Sequence, residues 1–85
     1  MEIVLLPGAK KDLEFWVRTG NKTILKKIGR LIEAIIHNPY DGIGSPEPLK
    51  YSLSGTWSRR INLEHRIVYE IIGGRLLVHS LKGHY

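Results

Sequence analysis

Thr56-Trp57-Ser58-Arg59-Arg60-Ile61-Asn62-Leu63-Glu64-His65-Arg66-Ile67-Val68-Tyr69-Glu70-Ile71-Ile72-Gly73-Gly74-Arg75-Leu76-Leu77-Val78-His79-Ser80-Leu81 decides the fold. It is dense in β-branched and aromatic residues, which suit a pleated, half-buried surface. Gly73-Gly74 supplies the positive φ angles of a two-residue hairpin, so 66–72 and 75–81 read as antiparallel strands. Thr56 to Leu63 reads as a further strand, turning tightly around Glu64-His65. In a regular hairpin Ile72 pairs with Arg75 and Arg66 with Leu81. Paired residues share a face, which leaves His84 on the face opposite Arg66. Either a bulge shifts the phase by one or the tail leaves the sheet after Lys82, and Gly83 suits both.

Upstream, Ile3 to Leu6 reads as a short strand ended by Pro7-Gly8. Pro7 is tolerated at a helix start, where its missing N–H has no partner to lose, and Ala9, Leu13, Trp16 and Val17 then fall on one helical face. Thr19-Gly20-Asn21 gives a stop and a new cap. Ile24, Ile28, Leu31, Ile32 and Ile35 keep amphipathic spacing to His37, with Lys22, Lys26, Lys27 and Arg30 around the rest of the helix. Asn38-Pro39 ends it, and the stretch to about Leu53 is loop-like. The expectation is one α+β domain over residues 1–85 in the order β-α-α-β-β-β. A two-helix hairpin packs on one face of an antiparallel meander, the first strand joins the sheet, and the other face is free to bind.

The 85 residues carry no cysteine, which removes disulfides, thiolate catalysis and iron–sulfur clusters and fits a reducing compartment. The longest aliphatic run, Ile3-Val4-Leu5-Leu6, is too short to cross a bilayer, and Met1-Glu2 does not begin a signal peptide. A soluble, cytoplasmic protein with no membrane partner is expected. Net charge is +5, favouring polyanionic partners. Residues 43–85 hold six basic and three acidic side chains, and among them Arg59, Arg60, Arg66 and Arg75 can grip phosphate with two parallel hydrogen bonds. A solvated strand face with incidental arginines explains the same distribution.

His37, His65, His79 and His84 are scattered without metal-ligand spacing, and Gly42-Ile43-Gly44 lacks the setting of a phosphate loop, so neither a metal nor another cofactor is expected. What remains is an acid–base set: Glu47, Arg59, Arg60, Arg66, His84 and Tyr85. Cleaving RNA through its own 2′-hydroxyl needs a base for that proton, positive charge on the phosphorane and a donor for the 5′-oxygen. A carboxylate, an arginine and a histidine can fill those roles. Read alone, Glu47 is an exposed loop acid, although Pro46 and Pro48 limit its backbone. Read alone, Tyr85 is an apolar plug on the sheet beside a solvated His84.

Pro46-Glu47-Pro48-Leu49-Lys50, Leu53-Ser54-Gly55, Trp57-Ser58-Arg59-Arg60-Ile61, Glu64-His65-Arg66-Ile67-Val68-Tyr69 and His84-Tyr85 closely resemble the YoeB branch of the RelE/ParE toxin superfamily. The resemblance covers nearly the whole chain. It implies a RelE-like fold and a type II toxin that cuts mRNA in the ribosomal A site without metal and so inhibits translation. It also implies a cognate, YefM-like antitoxin, with a second copy of the chain as a further candidate partner. By resemblance Glu47 is the general base, Arg66 stabilises the transition state, His84 is the general acid and Tyr85 orients or stacks on the nucleotide. Lys50, Arg59 and Arg60 would hold mRNA or ribosomal RNA. Lys82-Gly83 departs from the Arg-Tyr of the best-known members, and Gly83 is expected to loosen the tail. Two other readings stay open: a gyrase-inhibiting toxin of the ParE type, and a noncatalytic basic RNA-binding module using Trp57, Tyr51 or Tyr85 as stacking faces.

Overall fold

The computed structural model describes residues 1–83, and its order is β1 (Glu2–Leu5), α1 (Pro7–Arg18), α2 (Lys22–His37), β2 (Glu47–Pro48), a 3₁₀ turn (Tyr51–Leu53), β3 (Trp57–Arg60), β4 (Arg66–Ile72) and β5 (Arg75–Ser80). Pro7 opens α1, Asn21 caps α2 by accepting the Ile24 N–H at 3.1 Å, and Asn38 ends α2 in extended backbone. Ile24, Ile28, Leu31 and Ile35 are buried, with Ile32 packed against them. On α1, Ala9 and Trp16 are buried and Leu13 packs beside them, but Val17 is 60% exposed because it lies one position past the edge of the apolar stripe.

The sheet runs β1-β5-β4-β3-β2. It is antiparallel except at β1, which lies parallel to β5 with Ile3 opposite Leu76. Its helix-facing side carries Ile61, Ile67, Tyr69, Leu76 and Val78, which close the core against both helices. Burying a large apolar side chain stabilises by about 1.5–3 kcal/mol. The loop expected from 38 to 53 instead contributes β2, with Glu47 opposite Ser58 and Pro48 opposite Trp57. Trp57-Ser58-Arg59-Arg60 is correspondingly shorter than the expected strand. Asn62 breaks it, its side chain accepting the N–H groups of Glu64 and His65 at 2.9 and 2.8 Å.

Between β4 and β5 the bulge is present, and the strand ends at Ser80, two residues before the departure after Lys82 that was its expected alternative. Ile72 pairs with Arg75 through the Gly73-Gly74 turn, and register holds to Tyr69 opposite Val78. It then slips so that Val68 faces Ser80, leaving His79 as the extra residue of a bulge. Strand β5 ends at Ser80 and the chain bends through residues 81–83. Each of these three residues is held. Asp12 accepts the Leu81 N–H at 2.9 Å, Trp16 Nε1–H donates to the Leu81 carbonyl at 2.9 Å, and Lys82 Nζ lies 4.3 Å from the Phe15 ring centroid. The Arg66 N–H donates to the Gly83 carbonyl at 2.8 Å. The tail that Gly83 was expected to loosen, His84-Tyr85, lies outside the described residues. Gly83 sits at φ 83°, a conformation that L side chains rarely adopt, and is bonded through both its N–H and its carbonyl.

Arg59 is fully buried, which corrects its assignment as an RNA contact. It lies in strand phase with Trp57 and Ile61, and so points into the core rather than outward. Its Nε donates to the Tyr69 hydroxyl at 3.1 Å, Nη1 to the Ile43 carbonyl at 3.2 Å, and Nη2 to the carbonyls of Asp41, at 3.1 Å, and Asn38. Tyr69 in turn donates to the Pro39 carbonyl at 2.6 Å. Segment 38–43 thus folds around a cation, its carbonyls replacing water as acceptors.

Removing a charged donor that serves several buried acceptors costs about 1.5–3 kcal/mol per bond at most, with coupled losses adding incompletely. Arg59→Met should lower Tm by more than about 10 °C, whereas Arg60→Ala at the exposed neighbouring position should shift it by only a few °C, roughly. Thermal denaturation followed by circular dichroism distinguishes the two. Burial raises the Tyr69 pKa above 10.0, opposed by the hydrogen bond and charge of Arg59. A raised pKa stabilises the protonated phenol, so this contribution is whole below pH 10.0 and is lost as pH rises through the folded-state value. Tyr69→Phe should lower Tm at neutral pH yet flatten its decline at alkaline pH, as a pH series of melts on both proteins will show.

Candidate active site

Strand pairing alone collects the polar groups of the open face. Glu47 opposes Ser58, Ser58 opposes Val68, and Arg60 opposes Arg66. Paired residues share a face and alternate residues of one strand do too, so Glu47, Ser58, Arg60 and Arg66 all lie on the side away from the helices. Arg66 Nη1 is 3.3 Å from Glu47 Oε1 and 3.3 Å from Ser58 Oγ. The Arg66 side chain is 18% exposed and that of Glu47 58% exposed. The guanidinium is therefore held from below while one edge of the carboxylate meets water.

Ser58 escaped the reading of the sequence. It is fully buried, and its hydroxyl fixes the Arg66 guanidinium from within the sheet. The signal was its alternation with Arg59 and Arg60 along a strand, which assigns Ser58 and Arg60 to one face and Arg59 to the other. His65 also escaped it: Nδ1 accepts the Gly83 N–H at 2.9 Å, and the ring meets Trp16 edge-on at 4.8 Å between centroids.

Glu47 and Pro48 run along β3 as a short edge strand, continued by Leu49, whose N–H donates to the Thr56 carbonyl at 2.9 Å. An open groove of about 450 Å³ runs along Glu47, Pro48, Leu49 and Lys50. Lys50 and Arg60 are exposed, and Tyr51 beyond them is 92% exposed. Trp57 packs partly against the core and lies 4.9 Å from Tyr40, so it offers no free stacking face. His84 and Tyr85 lie outside the described residues, and the structure brings the chain to Gly83, bonded to the backbone of Arg66 itself. Among the described residues no three His, Asp or Glu side chains gather to hold a metal ion, and no helix is long and apolar enough to cross a membrane.

The carboxylate can accept a proton, and the guanidinium beside it can hold a phosphate, with Lys50 and Arg60 extending positive charge along the same surface. Buried Arg59 contributes to that surface only by fixing the loop before it.

Residues 7–85 match the family model described as YoeB-like toxin of bacterial type II toxin–antitoxin system. A Toxin YoeB from Synechocystis sp. is 56% identical over 70 residues, covering 82% of this chain and 81% of that protein. A YoeB/ParE toxin from Agrobacterium tumefaciens superposes over the whole of both chains with a TM-score of 0.95 and 42% identity. YoeB from Staphylococcus aureus, solved in a YoeB–YefM complex, gives a TM-score of 0.89 at 41% identity, and solved as a dimer 0.91 at 40%, each over 100% of this chain and 98% of the other. The shared fold and the near-complete match to the family model lead to one assignment: the chain belongs to the YoeB-like toxins of bacterial type II toxin–antitoxin systems.

Proposed function

We propose that this toxin is a ribosome-dependent mRNA endonuclease that cuts in the A site by metal-independent acid–base chemistry and thereby inhibits translation. The observation that carries the reading is the Glu47 carboxylate 3.3 Å from the Arg66 guanidinium on the open face, at the start of a groove that Lys50 lines. Glu47 takes the proton of the 2′-hydroxyl, and the freed oxygen attacks the adjacent phosphorus. Arg66 neutralises the charge that collects on the phosphorane oxygens. His84 donates a proton to the departing 5′-oxygen, leaving a 2′,3′-cyclic phosphate and a free 5′-hydroxyl, while Tyr85 stacks on the nucleotide. Lys50 and Arg60 hold the RNA backbone as cations, which makes binding sensitive to salt.

Glu47→Gln, Arg66→Ala and His84→Ala should each lower cleavage by ~10²- to 10⁴-fold while melting near the wild-type temperature. Primer extension on mRNA recovered from a translation reaction reads both the cut and its position. Wild-type cutting by His84→Ala would show that the acid has been misassigned. Absence of any cut by the wild-type chain, with DNA gyrase inhibited instead, would move the protein to the ParE-type reading.

The Staphylococcus aureus relative, solved with YefM, supports a YefM-like antitoxin as the partner here. Its acidic side chains would meet the basic surface and its apolar portion would lie against the domain. The dimer of that relative makes a second copy of this chain another candidate partner. Expression alone should arrest growth, and coexpression with the antitoxin should relieve the arrest and yield a complex on pull-down. Unimpaired growth without an antitoxin would contradict the toxin reading.

A further inference from the structure

Gly83, the last described residue, is bonded by two consecutive residues at the start of β4. His65 Nδ1 accepts its N–H at 2.9 Å, and the Arg66 N–H donates to its carbonyl at 2.8 Å. The second bond is available to any residue at position 66 other than proline. The first needs an acceptor at one particular point, and here that acceptor is a ring nitrogen.

The ring is itself fixed. Trp16 meets it edge-on at 4.8 Å and 76°, Nε2 lies 3.9 Å from the Glu64 carboxylate, and the side chain is 17% exposed. Trp16 is anchored through Nε1 to the Leu81 carbonyl at 2.9 Å. Leu81 and Gly83 are therefore held through one aromatic pair, Trp16 bonding the first and His65 the second. Because Nδ1 accepts, the proton of the neutral ring is on Nε2, on the side of Glu64.

We propose that His65 is a positioning residue: its Nδ1 fixes the Lys82–Gly83 peptide, one residue before His84, and so sets the point from which the acid enters the reaction. This rests on the reading of His84 as general acid. A displacement of about 1 Å in a reacting group can cost roughly 10²-fold in rate, so an acceptor that fixes this peptide acts on turnover rather than on ribosome affinity.

Two substitutions separate this role from packing. His65→Phe keeps a ring against Trp16 and removes the acceptor; His65→Asn places an oxygen near the position of Nδ1 and removes the ring. His65→Phe should lower kcat by roughly 10²-fold with little change in KM for ribosomes, and His65→Asn should recover most of that loss despite its poorer packing. Wild-type kcat in His65→Phe, or a His65→Asn protein no faster than His65→Phe, overturns the proposal. Nitrogen NMR on the free wild-type protein tests the contact without activity: Nδ1 should be the unprotonated nitrogen, and the Gly83 amide should exchange slowly. A protonated Nδ1 or a rapidly exchanging Gly83 amide also overturns it, even if the variants misfold. His84→Ala, assayed alongside, isolates the underlying reading. If it cuts at the wild-type rate the acid assignment fails, and the NMR result still decides the contact.

Discussion

A single buried cation shapes the half of the molecule that carries Glu47. Arg59 would be costly in the core without partners, and segment 38–43 supplies them as backbone carbonyls at Asn38, Asp41 and Ile43, with the Tyr69 hydroxyl completing the set. Wrapping those carbonyls around the guanidinium gives a loop with little regular structure a defined path. Arg60 continues it, donating its N–H to the Gly44 carbonyl at 2.6 Å. The chain is thereby delivered to β2 in the register that sets Glu47 opposite Ser58. One arginine in the core thus determines where a carboxylate stands on the surface.

The course of the chain from β5 to Gly83 depends on a phase change. An unbroken β4–β5 ladder would put the final residues out of step with Arg66. The bulge at His79 removes one residue from the count, and the bend after Ser80 transfers the chain from ladder bonds to the side chains of Asp12, Trp16 and His65. His79 is occupied at the bulge by a hydrogen bond between its Nε2 and the Glu70 carboxylate at 2.8 Å. Helix α1 does more than cover the sheet, since two of its polar groups take over the hydrogen bonding of Leu81 where β5 stops.

The helical hairpin and the Gly73-Gly74 turn were legible because their signals are local: Ile24, Ile28, Leu31 and Ile35 repeat with the helix, and two glycines fit a turn that few other pairs fit. Glu47 and Arg66 were singled out through the motifs around them, although their 3.3 Å approach depends on two strand pairings that no local pattern specifies. Arg59 was misread because a cation was taken for a surface residue. Its phase with Trp57 and Ile61 pointed inward, and the carbonyls that make burial tolerable lie some twenty residues away. Beta-2 was missed because a two-residue strand has no periodicity to detect. The roles of Asp12 and Trp16 come from contacts 69 and 65 residues along the chain, and that of His65 from one 18 residues along.

The parallel pairing of β1 with β5 has a consequence for how the protein comes into being. Glu2 to Leu5 find their partners only at Arg75 to Val78, and the Leu6 N–H is bonded to the Val78 carbonyl at 2.9 Å. During synthesis the first strand emerges long before the segment that completes the sheet, and neither face of the core can close in the interval. The residues that anchor the tail, on α1 and before β4, likewise wait for Leu81 and Gly83. The nascent chain therefore lacks its complete sheet until Arg75 to Val78 have been made.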